Sequence, residues 1–333
     1  MDWLWNLALP VAVAGGSWLA TGAALGLLRR RAILDVPNHR SSHNVPTPTG
    51  GGIGVMLTVL AAWLAYAGLG AERPLGLAVL AAAAAGLALL SWVDDMRKLP
   101  VLQRLAGQAV AVAVGLWALA GGGHVFQGLL PPALDLAVTG FLWLWFVNLY
   151  NFMDGIDGIT GVETTALGLG LALLPALGIA LDATPALILA AAALGFLRWN
   201  WHPARIFLGD VGSVPLGYLL GGLLIAAAAS GAWAAVLILP LYYSADSTLT
   251  LLARLCRGER IWQAHRQHFY QRAVRGGWSH ARVAGWVIAV DLALILLAIL
   301  ATLGHPFVAL GLAVILVAAA LGGFGRVGRH PVI

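Results

Sequence analysis

The chain is expected to be an all-α polytopic membrane protein, a single integral membrane domain over residues 1–333. Three observations predict this. Its 333 residues are 60% hydrophobic and only 10% charged, too apolar for a soluble globule. Windows of about 19 residues pick out eleven candidate transmembrane helices, at roughly 3–28, 51–70, 74–93, 105–121, 134–151, 161–181, 183–198, 213–230, 232–253, 281–303 and 305–322. With the N-terminus outside, the odd-numbered connections and the C-terminus hold 18 of the 19 Lys and Arg residues, leaving only Arg73 on the other face. That asymmetry is the positive-inside pattern, and one missed span would scramble it. The N-terminus is therefore expected outside and the C-terminus in the cytoplasm. The basic residues are divided among five inside loops and the tail, which argues against a nucleic-acid partner.

The first run opens Met1-Asp2-Trp3-Leu4-Trp5, without a basic segment or a small-residue cleavage site, so it reads as an uncleaved span. Several later runs are rich in Ala and Gly, such as Ala81–Ala85; in lipid, small residues let helices approach closely. Tryptophans near run ends (Trp92, Trp199, Trp201, Trp278, Trp286) suit an interfacial belt. The single cysteine, Cys256, excludes an internal disulfide and a thiolate metal cluster. No soluble domain, long linker or tandem repeat interrupts the pattern.

Five inside connections carry the unusual residues. The first, Asp35 to Gly52, has prolines that forbid helix and ends in Gly50-Gly51-Gly52. Triple glycine at the start of a helix suits an anion, through exposed amides and the positive helix end. The second holds Asp94-Asp95-Met96-Arg97-Lys98; adjacent carboxylates repel unless a cation sits near them. The third, Asn148-Leu149-Tyr150-Asn151-Phe152-Met153-Asp154-Gly155-Ile156-Asp157-Gly158, sets two carboxylates and two amides directly after an apolar run. Unpartnered in hydrocarbon, each would cost roughly several kcal/mol, so they need partners, water or a ligand. The fourth reads Arg205-Ile206-Phe207-Leu208-Gly209-Asp210-Val211-Gly212-Ser213, with a carboxylate just ahead of a helix. The fifth, Arg254 to Arg282, holds seven arginines with His265, His268 and His280; several of those arginines suit anionic headgroups.

Carboxylates, glycines and cations on one face suit phosphoryl chemistry on two anionic substrates, in which carboxylates hold magnesium while Arg and Lys hold phosphates. Each connection also has a plainer reading as a stiff linker, a solvated helix end or a lipid-facing basic loop. Together they are far more specific.

Pro46-Thr47-Pro48 with Gly50-Gly51-Gly52, Asp94-Asp95, Asn151 to Gly158, Phe207 to Ser213, and Asp246 in the ninth span resemble, in order, the polyprenyl-phosphate N-acetylhexosamine-1-phosphate transferases. That family includes the phospho-MurNAc-pentapeptide translocase and the initiating enzymes of O-antigen and enterobacterial common antigen. The resemblance covers residues 35–280. It implies transfer of a sugar 1-phosphate from a UDP-sugar to undecaprenyl phosphate, with release of UMP, in the bacterial cytoplasmic (inner) membrane. It implies Asp94 and Asp95 as catalytic carboxylates, and Asp210 as the principal Mg2+ ligand with Asp94 beside it; Mn2+ could substitute. Asn151, Asp154 and Asp157 would lie at the nucleotide side with Arg205, and Phe207 could stack on the uracil. His265, Arg266 and His268 would serve the sugar or its diphosphate. A homodimer is compatible with the resemblance.

Two departures bear on substrate and metal. The commoner His-x-His-His cluster reads His265-Arg266-Gln267-His268 here, similar to the subgroup that makes N-acetylfucosamine- or N-acetylquinovosamine-linked lipids for O-antigen. The alternative donor is UDP-GlcNAc, as in teichoic-acid initiation. The third acidic position of an Asp-Asp-x-x-Asp motif is Lys98, which favours one magnesium. The rival from another class is an ion-coupled transporter, since Asp246 and Asp291 fall inside apolar runs. A transporter would gather its polar residues near the midplane in paired repeats, whereas here they collect at one interface. Asp291 is expected to be buried against a neighbouring helix with a hydrogen-bond partner.

Overall fold

The computed structural model describes residues 2–37, 42, 45–263 and 265–328, with side chains from residue 8 onward. Asn38, His39, Arg40, Ser41, His43 and Asn44 of the first inside connection lie outside the described residues.

Apolar runs become helices because a helix satisfies every backbone N–H and C=O within its own segment, the condition for crossing hydrocarbon. Among the described residues, ten helices are long and apolar enough to cross a membrane. They are α1 (Asp2–Arg30), α2 (Gly52–Leu69), α3 (Pro74–Arg97), α4 (Val101–Ala118), α5 (Pro132–Phe152), α6 (Ile159–Leu173, with a following 3-10 turn), α7 (Ala183–Asn200), α8 (Asp210–Ala229), α12 (His280–Thr302) and α13 (Pro306–Val327). The expected ninth span is divided into α9 (Trp233–Ile238) and α10 (Leu241–Cys256), and a short α11 (Phe269–Arg275) follows. Pro240 lies at the break; it has no N–H to give and its ring opposes continuation of a helix. The expected eleven passages thus become ten long helices and one interrupted pair. Along α10, Tyr242, Tyr243, Asp246, Ser247, Thr250 and Arg254 are buried, while Leu249, Leu252 and Leu255 are exposed.

Helix α8 is the hub, with 89% of its span buried and α2, α3, α5, α6 and α9 packed around it. Its small residues permit this. Tyr150 of α5 lies against Gly217, and the Trp143 ring fills the space beside Gly221. The Trp143 indole N–H donates to the Tyr218 carbonyl at 2.9 Å, and their rings stack at 4.9 Å. Gly168 meets Ala186 and Ala190 across the α6–α7 contact. Burying apolar surface does not drive helices together in lipid; close backbone approach and hydrogen bonds do. Asp291 of α12 is buried within electrostatic reach of Glu163 of α6, but its carboxylate oxygens make no hydrogen bond among the described residues, so the expected hydrogen-bond partner is not found.

One short sheet shapes the face that carries the polar connections. Strands β1 (Leu34–Asp35) and β2 (Thr47–Pro48) pair antiparallel, and Thr49 forms a parallel bridge with Phe207.

Candidate active site

The five connections converge on one cavity of about 880 Å3. Its walls include Asp35 from β1, Asp95 from α3, Asn151 from the last turn of α5 with Asp154 and Asp157 after it, Phe207 before α8 and Asp210 at its first position, and His265 and His268 after α10. The sequence therefore named much of the lining, from Asp35 to His268, 233 positions apart.

The rim is tied by backbone. The Gly50 and Gly51 amides donate to the Phe207 carbonyl at 3.2 and 2.8 Å, and the Gly52 amide donates to the Leu208 carbonyl at 2.8 Å. Phe207 N–H donates in turn to the Pro48 carbonyl at 2.8 Å. The triple glycine was expected to offer these amides to an anion; instead they are consumed by the fourth connection. Glycine is needed for a different reason. A Cβ on Gly52 would run into the backbone of Gly212, so the two segments touch main chain to main chain.

The carboxylates crowd together. Asp95 lies within electrostatic reach of Asp210, Asp94 and Asp35, and Asp210 within reach of Asp94 and Arg104. Asp94 is engaged by protein: it accepts the Leu99 N–H at 2.7 Å and forms an ion pair with Arg104 at 3.0 Å. Asp95 and Asp210 instead line the cavity together, and Asn151 hydrogen-bonds to Asp210. Ser213 fixes the Asn151 amide by donating to its Oδ1. Burial, only partly offset by the Thr160 hydroxyl, raises the Asp154 carboxyl to about 7, with the nearby Asp210 adding to the rise. Burial would also raise Asp157, but its close contacts with His280 and His202 and the Ala204 N–H outweigh it and hold this acid below the ordinary carboxylate range.

The fifth connection reaches the cavity through an anchor in α10. Asp246 accepts the N–H groups of Phe269 and Tyr270 at 2.9 and 3.1 Å, capping α11, and contacts His268 Nδ1 at 3.2 Å. A fully buried acid thus fixes the orientation of a cavity histidine. The His265 ring lies beside His268, tilted by 31° with ring centroids 4.8 Å apart. Burial first, then His268 and Arg254, lower His265 to about 3, so its imidazole is neutral near pH 7.

Two expected residues are not brought in. Arg205 is exposed, with its guanidinium over the Trp199 ring at 5.7 Å. Arg266 is half-buried in the fifth connection; neither is among the described residues that line the cavity. Several lining or supporting residues escaped the sequence reading: Arg104, His202, Asn200 and the cavity role of His280. Arg104 had a signal, a lone cation at the start of an apolar run. His202 had none.

A second, apolar groove of about 260 Å3 opens beside the first, lined by Leu90, Leu105, Phe141, Leu144, Trp145 and Trp262. Asp94 and Arg104 also face it, and it shares Asn151, Phe152 and Asp210 with the polar cavity. The two spaces, one polar and one apolar, therefore meet at an acid and an amide.

Residues 77–228 match the model of glycosyl transferase family 4. A putative glycosyltransferase of Streptomyces coelicolor is 32% identical over 322 residues, covering 92% of this chain and 72% of its own length. A phospho-N-acetylmuramoyl-pentapeptide-transferase of Desulforudis audaxviator is 32% identical over 348 residues, covering 89% of this chain and 100% of itself. A decaprenyl-phosphate N-acetylglucosaminephosphotransferase of Mycobacterium tuberculosis is 29% identical over 314 residues, with coverage of 80% and 75%. Motif order, fold and these likenesses agree: the chain belongs to glycosyl transferase family 4, within the polyprenyl-phosphate N-acetylhexosamine-1-phosphate transferases.

Proposed function

We propose that the protein transfers an N-acetylated hexosamine 1-phosphate from a UDP-sugar to undecaprenyl phosphate, releasing UMP. The observation that carries this reading is the meeting of a polar and an apolar cavity at Asn151, Phe152 and Asp210. A nucleotide sugar suits the larger, polar space. A prenyl chain suits the groove of Leu105, Phe141, Leu144 and Trp145, and its phosphate would arrive where Arg104 stands beside Asp94. Arg104 offers charge-assisted hydrogen bonds to that phosphate. Both substrates then present phosphorus chemistry at the shared wall. A lipid phosphate oxygen forms a bond to the sugar-bound phosphorus, the bridging bond to UMP breaks, and UMP leaves with the electron pair.

The donor set fits Mg2+. Asp95 and Asp210 are carboxylates facing one cavity, Asn151 orients Asp210 by a hydrogen bond, and like charges so crowded call for a cation. We assign Asp210 and Asp95 as the ligands that face substrate, with Asp94 holding Arg104 in place. When bound, Mg2+ would neutralise charge on the phosphoryl group in transfer, and Mn2+ could substitute. Neutral His265 and Asp246-anchored His268 can hydrogen-bond the sugar or its diphosphate. The positive-inside asymmetry supports a cytoplasmic site in a bacterial inner membrane.

The fifth connection supports UDP-N-acetylfucosamine or UDP-N-acetylquinovosamine as donor, for O-antigen initiation. UDP-GlcNAc is the second reading, favoured by the name of the mycobacterial relative. The test uses protein purified into nanodiscs with each donor. UMP release strictly dependent on undecaprenyl phosphate is expected, and UMP with lipid-linked product should regenerate UDP-sugar. Release of UDP would mean transfer of the sugar alone and would overturn the reading. Ion-driven uptake into liposomes without UMP release would turn it to a transporter.

A further inference from the structure

On the wall of the polar cavity, Asp157 meets two histidines from distant parts of the chain. His202 Nδ1 is 2.6 Å from Asp157 Oδ2, and His280 Nδ1 is 3.2 Å from the same oxygen. One nitrogen from each ring and one carboxylate oxygen lie within 4.8 Å of one another. The three residues stand on three separate segments: the connection after α5, the connection before α8, and the first turn of α12. Asp157 and His280 are each 6% exposed.

The hydrogen bonds of His280 fix what its Nδ1 can do. Its Nε2 lies 3.1 Å from the Ser42 carbonyl oxygen. A carbonyl only accepts, so Nε2 carries the proton. In the neutral ring Nδ1 then carries a lone pair, consistent with the Asp157 N–H pointing to it at 3.3 Å. That lone pair also faces the anionic Oδ2, and two acceptors at this separation need a cation between them. A proton is one candidate and a metal ion the other. A second partner on the far nitrogen is the arrangement metal-ligating histidines use to fix tautomer and orientation, and Ser42 supplies it.

We propose that Asp157, His202 and His280 form a binding site for a divalent transition ion of the Zn2+ type, separate from the oxygen-only set at Asp95 and Asp210. Two imidazole nitrogens and one carboxylate oxygen suit Zn2+ or Co2+; Mg2+ prefers oxygen alone. Ligand atoms on a tetrahedral Zn2+ at ~2.0 Å from each nitrogen or oxygen lie about 3.3 Å apart. The His280 contact to Oδ2, 3.2 Å, already matches that spacing and the His202 contact, 2.6 Å, is shorter, so a small rotation of the half-exposed His202 ring would close the set. Asp157 and His280 line the cavity, so the fourth position opens toward it. An oxygen of a bound phosphate or carbonyl could complete the shell.

The test needs neither nucleotide nor lipid substrate. Protein carrying no polyhistidine tag is purified into nanodiscs, stripped with chelator, and titrated with Zn2+ against a competing chelator dye and with Co2+ by visible absorption. One Zn2+ per chain, a tetrahedral Co2+ band and a rise in Tm with Zn2+ are expected, all retained in Asp210→Asn. His280→Ala and His202→Ala should each weaken Zn2+ binding by more than ~100-fold. His202 is half-exposed, so its variant should stay folded, and matching elution and Tm without metal check this. If the wild type binds Zn2+ no tighter than the two variants, or gives no Co2+ band, the triad is held by protons and the proposal is overturned.

Discussion

The two ends of the bundle both bury acids, and they treat them differently. Away from the polar connections, a cavity of about 610 Å3 is lined by Glu72, Arg73, His124, Asp135 and Asp182. There each buried acid finds a local partner. Asp182 accepts the Thr184 N–H at 2.9 Å, capping α7, and the Tyr66 hydroxyl at 2.6 Å. Asp135 accepts the Phe126 N–H at 3.0 Å. At the other end Asp95 lies within reach of Asp35, Asp94 and Asp210, and Asp210 within reach of Asp94 and Arg104. A satisfied acid costs little and needs no further explanation. A group of acids turned toward each other is tolerated for what it binds.

The sharpest way to break this contrast is Asp210→Asn. Loss of one metal-facing charge should lower turnover by at least ~100-fold while insertion and monodispersity stay unchanged. Near-normal UMP release by that variant would make the crowded end as structural as its opposite. Arg104→Gln should act next, raising KM for undecaprenyl phosphate by roughly tenfold, since a hydrogen bond to a charged group contributes about 1.5–3 kcal/mol. KM for the UDP-sugar should stay constant; a rise in both would place Arg104 outside the groove's chemistry.

Asp154 sharpens the contrast in stability instead of rate. Its folded value, about 7, lies above the ordinary carboxylate value. Between those two pH values the folded state keeps a proton that the unfolded chain has released, so stability falls as pH rises through this window. Asp154→Asn removes the effect. Its Tm advantage over wild type in metal-free nanodiscs should grow from pH 4 to pH 7 and then level off. A constant difference across that range would show that Asp154 is not held neutral. The smallest effect belongs to the quiet end. Asp182→Ala should cost about 1 kcal/mol as a lost helix cap and leave turnover untouched.

Much of the fold was readable because hydropathy and the Lys/Arg distribution act over whole segments. The exception is instructive. Residues 232–253 remain apolar on average, so a window spanned them; the break lies in one residue, Pro240, whose effect averaging hides. The lining acids and amides were legible because they follow apolar runs directly. Arg205 was not, since a loop arginine can turn to phosphate or to the neighbouring Trp199, and the indole won. The glycine triplet misled for a related reason. Lack of a Cβ permits approach by an anion or by another backbone, and the sequence holds no mark of which. The Asp157, His202 and His280 cluster required folding to bring together residues 45 and 78 positions apart.

The seam between Gly50–Gly52 and Phe207–Leu208 has a consequence for biosynthesis. Its halves are separated by more than 150 residues and by six helices of the bundle. The N-terminal half leaves the ribosome long before the carbonyls that receive its amides exist. Until α8 arrives, the first connection has no partner on which to close, and the cavity lacks the Asp210 wall. A chain halted just before residue 208 would hold seven of its helices, α1 to α7, and no complete site. Assembly of the bundle and assembly of the site are therefore separate events, and the second waits for the helix at the centre.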